Sequence, residues 1–225
     1  MLAKYEEILN KSKKRVTEVA NDVLTAYNMS VEAYHDSDEQ KASDARKMLK
    51  DMHDKNNKID NEIIKTLALF SPEARDLRII ISHLKIASEL TRISDYIRAY
   101  AKDTKMQISG EFETEALKSD MLSFLQSTAD SLEASIKSIN ASNNAELDKL
   151  YQKVHVEESK CDDILSILEK NLLQAICINP ENAGDFISFI KTIRKLERVS
   201  DRSVNIVKLS YFAQKGGKLK LWYLI

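Results

Sequence analysis

The sequence predicts an all-α protein: two tandem three-helix bundles, six long antiparallel helices. Three observations carry this. Glycine occurs four times and proline twice in 225 residues, so the residues that punctuate turns and sheets are scarce and elements run long. Apolar residues recur three and four apart, as at Ile59, Ile63, Leu67 and Phe70, the period of a helix burying one stripe. The two prolines, Pro72 and Pro180, each follow a capping residue and precede an acid, and so mark equivalent joints.

The first helix is expected from Leu2 to Tyr34, ended by the polar turn His35-Asp36-Ser37-Asp38. The second runs from Glu39 to Phe70. Ser71-Pro72-Glu73 then supplies an N-cap, a proline at the first helical position and an acid in the first turn, opening a third helix to Asp103. Gly110 sits in a linker, and a fourth helix covers Glu111 to Ile139. Asn140-Ala141-Ser142-Asn143-Asn144 is a polar turn, and a fifth helix spans Ala145 to Ile176. Asn179-Pro180-Glu181 repeats the cap, proline and acid before a sixth helix to Ala213. The units are therefore 1–105 and 110–213, with an apolar tail over 214–225. A helix of about 32 residues is roughly 48 Å long. Such helices persist in water mainly by packing a stripe on neighbours, and short connections make successive ones antiparallel.

The duplication is visible residue by residue. The stretch from Lys85 to Asp95 lies 106 residues before that from Lys191 to Asp201. Lys, Leu, Arg, Ser and Asp are identical at five of the eleven positions, and Ile93 faces Val199. Ordinary composition predicts about one match.

Composition excludes several classes. Lys and Arg total 34 against 35 acids, a net charge of −1, so the basic footprint of a nucleic-acid binder is absent. No run approaches the roughly 20 apolar residues of a membrane span, and no signal-peptide core opens the chain, which predicts a cytoplasmic, non-integral protein. Cys161 and Cys177 fall on one helix, roughly 24 Å apart, too far for a disulfide. They are expected to be reduced, buried and inert.

On the sixth helix the stripe comprises Phe186, Phe189, Ile190, Ile193, Leu196, Val204 and Val207. Ser200 falls inside it, as Ser94 does in the first copy, and a small residue there lets two helix backbones approach. Glu197 and Asp201 lie one turn apart along the stripe's edge. Two carboxylates at this spacing repel and need a counter-charge, either an arginine or a bound cation. Carboxylate oxygens suit hard and borderline cations. Arg194, Arg198 and Arg202 are equally at hand, and a salt-bridged flank accounts for the same residues with no ligand.

The string Leu196-Glu197-Arg198-Val199-Ser200-Asp201-Arg202 resembles the signature of the PhoU family, an acid-x-x-x-Asp element in a leucine-acid-arginine-aliphatic-small-aspartate context. Asp76-Leu77-Arg78 and Leu84 to Leu90 resemble the lead-in to its first copy, and the two-copy plan covers the chain to about residue 213. The resemblance implies two three-helix bundles related by pseudo-twofold symmetry and a non-enzymatic cytosolic regulator of phosphate uptake. It implies as partners a phosphate transporter ATPase and a sensor histidine kinase, with weak homodimerisation. It also implies iron, zinc or another divalent metal at the acid-x-x-x-Asp motifs. Carried over by position, Glu197 and Asp201 match the second motif, whereas in the first only Asp95 does, with Thr91 standing where the acid is expected.

Other features remain open between function and ordinary structure. Asp60 and Asp162 occupy similar places on helices two and five, preceded by His53 and His155, and Glu158 lies one turn before Asp162. Coincidence and ordinary solvated faces account for them first, with supplementary ligation as the alternative. His83 reads as a satisfied core or interface histidine. A helical di-iron enzyme is disfavoured, because Glu-x-x-His occurs only at Glu32-Ala33-Tyr34-His35, at a helix end. Alternatives to the phosphate-regulator reading are a metal-free helical adaptor and an accessory protein of a secondary phosphate transporter. The tail residues Leu219 to Ile225 are expected to seek burial on the same molecule or in an oligomer.

Overall fold

The structure, a computed structural model, describes residues 2–70, 72–107 and 115–217. Among these there are seven α-helices and no strand: α1 (Leu2–Asp36), α2 (Glu39–Met48), α3 (Met52–Leu69), α4 (Ala74–Gln107), α5 (Glu115–Ile139), α6 (Asn144–Ile178) and α7 (Ala183–Lys215). The first bundle is α1, α2 with α3, and α4; the second is α5, α6 and α7.

The turns follow local chemistry. Ser37 takes a left-handed φ of 55° to reverse the chain after α1, and the Asp38 side chain accepts the Lys41 N–H at 2.9 Å to cap α2. Asn143 caps α6 by accepting the Glu146 N–H at 2.9 Å, while the Glu146 carboxylate accepts the Ser142 N–H at 2.7 Å, a reciprocal clasp. Gly216, at φ 73°, ends α7 and sends its N–H to the Phe212 carbonyl at 2.9 Å.

Three expectations change. The single helix expected over Glu39–Phe70 is broken at Leu49–Asp51. No glycine or proline marks the place. The chain tightens one turn, with the Lys50 N–H reaching back to the Lys47 carbonyl at 3.1 Å, while Leu49 and Met52 stay buried and Lys50 and Asp51 face water. The buried stripe therefore runs through the break without losing phase. At the joints, α4 begins at Ala74, two residues after Pro72, and Pro180–Asn182 forms a short 3-10 turn before α7, without a side-chain cap from Asn179. Cys177 is exposed; only Cys161 is buried. Ser71, the Gly110 linker and Leu219 to Ile225 lie outside the described residues.

The two bundles share one core. Tyr27, Tyr100, Phe124 and Phe186 are its largest fully enclosed side chains, each worth on the order of 1.5–3 kcal/mol of burial. The halves join where α4 runs along α7 and α1 meets α5. At the second contact the buried Tyr27 hydroxyl donates to the Leu125 carbonyl at 2.9 Å. At the first, the Thr192 hydroxyl donates to Asp103 at 3.0 Å. Ser94 and Ser200 are enclosed within the packing faces, as their place in the stripes predicts, and Ser200 meets Ser131 of α5 at 3.3 Å.

Candidate functional site at the repeat motifs

In the second half the apolar stripe of α7 turns Leu196, Val199 and Ser200 inward. That leaves Glu197 and Asp201 at the flank facing α6, each side chain about 20% exposed. Arg198 lies between them. Its Nη1 donates to Asp201 Oδ2 at 3.2 Å, and its Nε stands 3.4 Å from Glu197 Oε2. The neighbouring Arg194 turns away and donates to Glu169 at 2.6 Å.

Across from these acids α6 presents Glu158 and Asp162, close enough for the four carboxyls to influence one another. Burial, reinforced by the adjacent Asp201 charge, pushes Glu197 up to about 7. Burial also raises Asp201, with Arg198 opposing it. Glu158 rises through burial and then through Asp162 and Asp201, and Asp162 through burial and Asp163. The cluster therefore carries more negative charge than its surroundings favour, and Arg198 is the counter-charge in contact with both α7 acids.

All four groups are carboxylates, a donor set that suits hard or borderline cations. Their present arrangement is less favourable: among the described residues no group of three or more His, Cys, Asp or Glu side chains converges to hold one ion. Arg198 occupies the bridging place instead.

The first half is built differently. Asp95 on α4 meets His53 of α3, whose Nε2 stands 3.2 and 3.1 Å from the two carboxylate oxygens. Arg98 Nη1 is 3.8 Å from the same group. Thr91, at the position of Glu197, is buried and donates its hydroxyl to the Ala87 carbonyl at 2.9 Å within its own helix. Asp60 accepts from Asn56 at 3.1 Å, and burial raises its carboxyl. The structure thus brings Asp95 to a histidine, and Glu197 and Asp201 to an arginine and two further acids.

His155 does not join the acids. Its ring packs on Tyr151 at 4.7 Å, its Nε2 is buried with no hydrogen-bond partner, and burial, then Lys208, lowers its pKa. His83 is a core histidine as expected, 5% exposed, with Nδ1 3.2 Å from the Ser12 hydroxyl. The Cys161 thiol is pushed up to about 11 by burial and stays protonated at neutral pH, so it is inert as a nucleophile.

One charged cluster escaped the sequence reading. Glu89, 2% exposed, meets Arg202 of α7 at 3.2 Å, and Asn205 donates to the same carboxylate oxygen at 3.4 Å. Tyr96 is a further hydrogen-bonding partner of Arg202. The signal was available: Glu89 falls among Ile86, Leu90 and Ile93 in the apolar stripe of α4, where a charge needs a buried partner.

Comparison with known proteins agrees with this architecture. The sequence matches the family described as PhoU domain over residues 16–104 and again over 122–210. The Phosphate-specific transport system accessory protein PhoU homolog of Clostridium acetobutylicum is 25% identical over 193 residues, covering 85% of each chain. PhoU homolog 1 of Methanothermobacter thermautotrophicus is 23% identical over 218 residues, covering 94% of this chain and 97% of that one. The crystal structure of PhoU from Pseudomonas aeruginosa superposes with a TM-score of 0.84 at 22% identity, over 95% of this chain and all of that one. That likeness establishes the fold.

Proposed function

The chain belongs to the PhoU domain family, and from that premise we propose that it is a regulatory accessory protein of phosphate transport. The single observation that carries this is the match of both halves to the one domain, in relatives of nearly the same length that are named phosphate-specific transport accessory proteins. Among the described residues no helix is long and apolar enough to cross a membrane, which suits a protein that meets its transporter from the cytoplasm.

The finer reading is a non-enzymatic scaffold. It contacts the ATPase of a phosphate transporter and a sensor histidine kinase, and biases both towards their quiet states. The long α4–α7 seam, closed by the largely buried Glu89–Arg202 pair, supports it, since a scaffold that touches two partners must hold its faces in fixed relation. Weak homodimerisation belongs to the same reading.

Metal is a separable part of the proposal. Glu197 and Asp201 would be ligands in the second half, joined by Asp162 and Glu158, and Asp95 would be the ligand in the first. The raised carboxyls of the α7 cluster support this, because an anionic cluster that resists ionisation gains from a divalent cation such as iron or zinc. When bound, the ion would supply the counter-charge that Arg198 otherwise supplies. The contacts of Arg198 favour a second reading, a regulator that works with no metal at all.

Deleting the gene in its host and measuring uptake of labelled phosphate in phosphate-replete medium tests the main proposal. Loss of restraint on uptake, restored by a plasmid copy, is the expected result. Unaltered uptake and unaltered expression of phosphate-responsive genes would refute it.

A further inference from the structure

A cavity of about 210 Å³ lies between the two halves, where α1 and α4 meet α5 and α7. Lys13, Asn10, His83 and Ser210 supply polar groups, and Ile86 and Ile139 supply apolar wall. Asp201 and Ser210 are nine residues apart on α7, or about 13 Å of helix, so this is not the acid cluster.

The charge in this cavity is unbalanced. Lys13 is partly buried, no acid lines the cavity, and among the described residues Lys13 makes no ion pair. An incoming anion would therefore meet a cation with no competing carboxylate at the cavity wall. His83 adds a directional group. Its Nδ1 stands 3.2 Å from the Ser12 hydroxyl; when that hydroxyl donates, the neutral ring carries its proton on Nε2, which has no partner among the described residues. Burial, then the Lys13 charge, lowers the His83 pKa to about 4, so the ring remains a neutral donor near pH 7.

We propose that this cavity binds a small organic oxyanion, a phosphomonoester whose charged group meets Lys13 and His83 and whose apolar body lies against Ile86 and Ile139. The volume is below that of a drug-sized site, which limits the ligand to a small one. Walls from both repeats mean that the ligand ties α1 and α4 to α5 and α7. The inference rests on the cavity and its charge and is independent of the phosphate-transport reading.

Calorimetric titration of the full chain with phenyl phosphate, inorganic phosphate and phenol tests it, alongside amide chemical-shift mapping by NMR. Phenyl phosphate should bind at millimolar concentration or below, with shifts centred on Lys13, His83 and Ser210. Lys13→Ala should weaken it about tenfold or more, and Lys13→Arg should restore most of the loss. Equal binding of inorganic phosphate would keep the site and identify the free ion as its ligand. Phenol binding as tightly as phenyl phosphate, undiminished binding by folded Lys13→Ala, shifts centred on Glu158 to Asp201, or no binding of either oxyanion would each overturn it.

Discussion

Tyr96 and Arg202 occupy equivalent positions in the two repeats, 106 residues apart, and they meet each other across the α4–α7 seam. Two equivalent residues touch only where the operation relating the halves maps one helix onto the other, so the pseudo-twofold axis passes beside this contact. The pair is chemically unequal. Arg202 brings a charge into the seam that its counterpart lacks, and Glu89 neutralises it at 3.2 Å. The symmetric scaffold is therefore held at its centre by an asymmetric ion pair.

Removing one member of that pair should be costly, because the other stays buried with its charge uncompensated. Glu89→Gln is expected to destabilise the protein by about 3 kcal/mol, read from urea denaturation. A midpoint equal to wild type would mean that Glu89 is not holding the seam.

Ser200 predicts a steric effect. It is 1% exposed and faces Ser131 of α5 at 3.3 Å, so Ser200→Leu forces α7 away from α5 at a cost of about 1–3 kcal/mol. Ser200→Ala, which removes no volume to speak of, should melt close to wild type in a thermal scan.

Glu197 predicts a dependence on pH. Its folded pKa of about 7 lies above the ordinary 4.5, so the folded state holds the proton more tightly than the unfolded chain does. Stability from this group is fully present below about 4.5 and is lost as pH rises towards 7. Glu197→Gln should therefore gain stability relative to wild type at pH 8 and lose that advantage at pH 4. Parallel curves at both values would contradict the burial-driven shift.

Arg198 predicts a response to cations. Arg198→Ala leaves Glu197 and Asp201 without their bridging counter-charge, so its melting temperature at pH 8 should fall and then recover as manganese or zinc is added, by mass action on the folded state. Wild type should respond less. If neither protein responds, the metal part of the proposed function is removed and the adaptor reading stands.

The helical architecture was legible because its signals are local and repeated. The stripe spacing, the polar turns and the 106-residue echo each stand in the sequence itself. Ser94 and Ser200 were recognisable as close-packing positions from their phase alone. The break at Leu49–Asp51 was not, since no glycine or proline marks it and the buried stripe continues through it. Cys177 misled because it sits in a largely apolar helix end, where Leu173 and Ile178 are also exposed. At the candidate site, Glu197, Asp201 and the arginines were readable at helical spacing. The approach of Glu158 and Asp162, and of His53 to Asp95, depends on how separate helices pack, and one-dimensional spacing does not encode it.

The interruption of one long helix into α2 and α3 has no counterpart in α6, which runs unbroken for 35 residues. A ten-residue segment such as α2 is too short to sustain its own hydrogen bonds in water. It keeps its shape only while α1 and α4 hold it. This makes α2 a detachable panel on an otherwise continuous frame: its amides should trade hydrogen for deuterium ahead of those in α6, and it can loosen or re-dock while the α4–α7 spine stays intact.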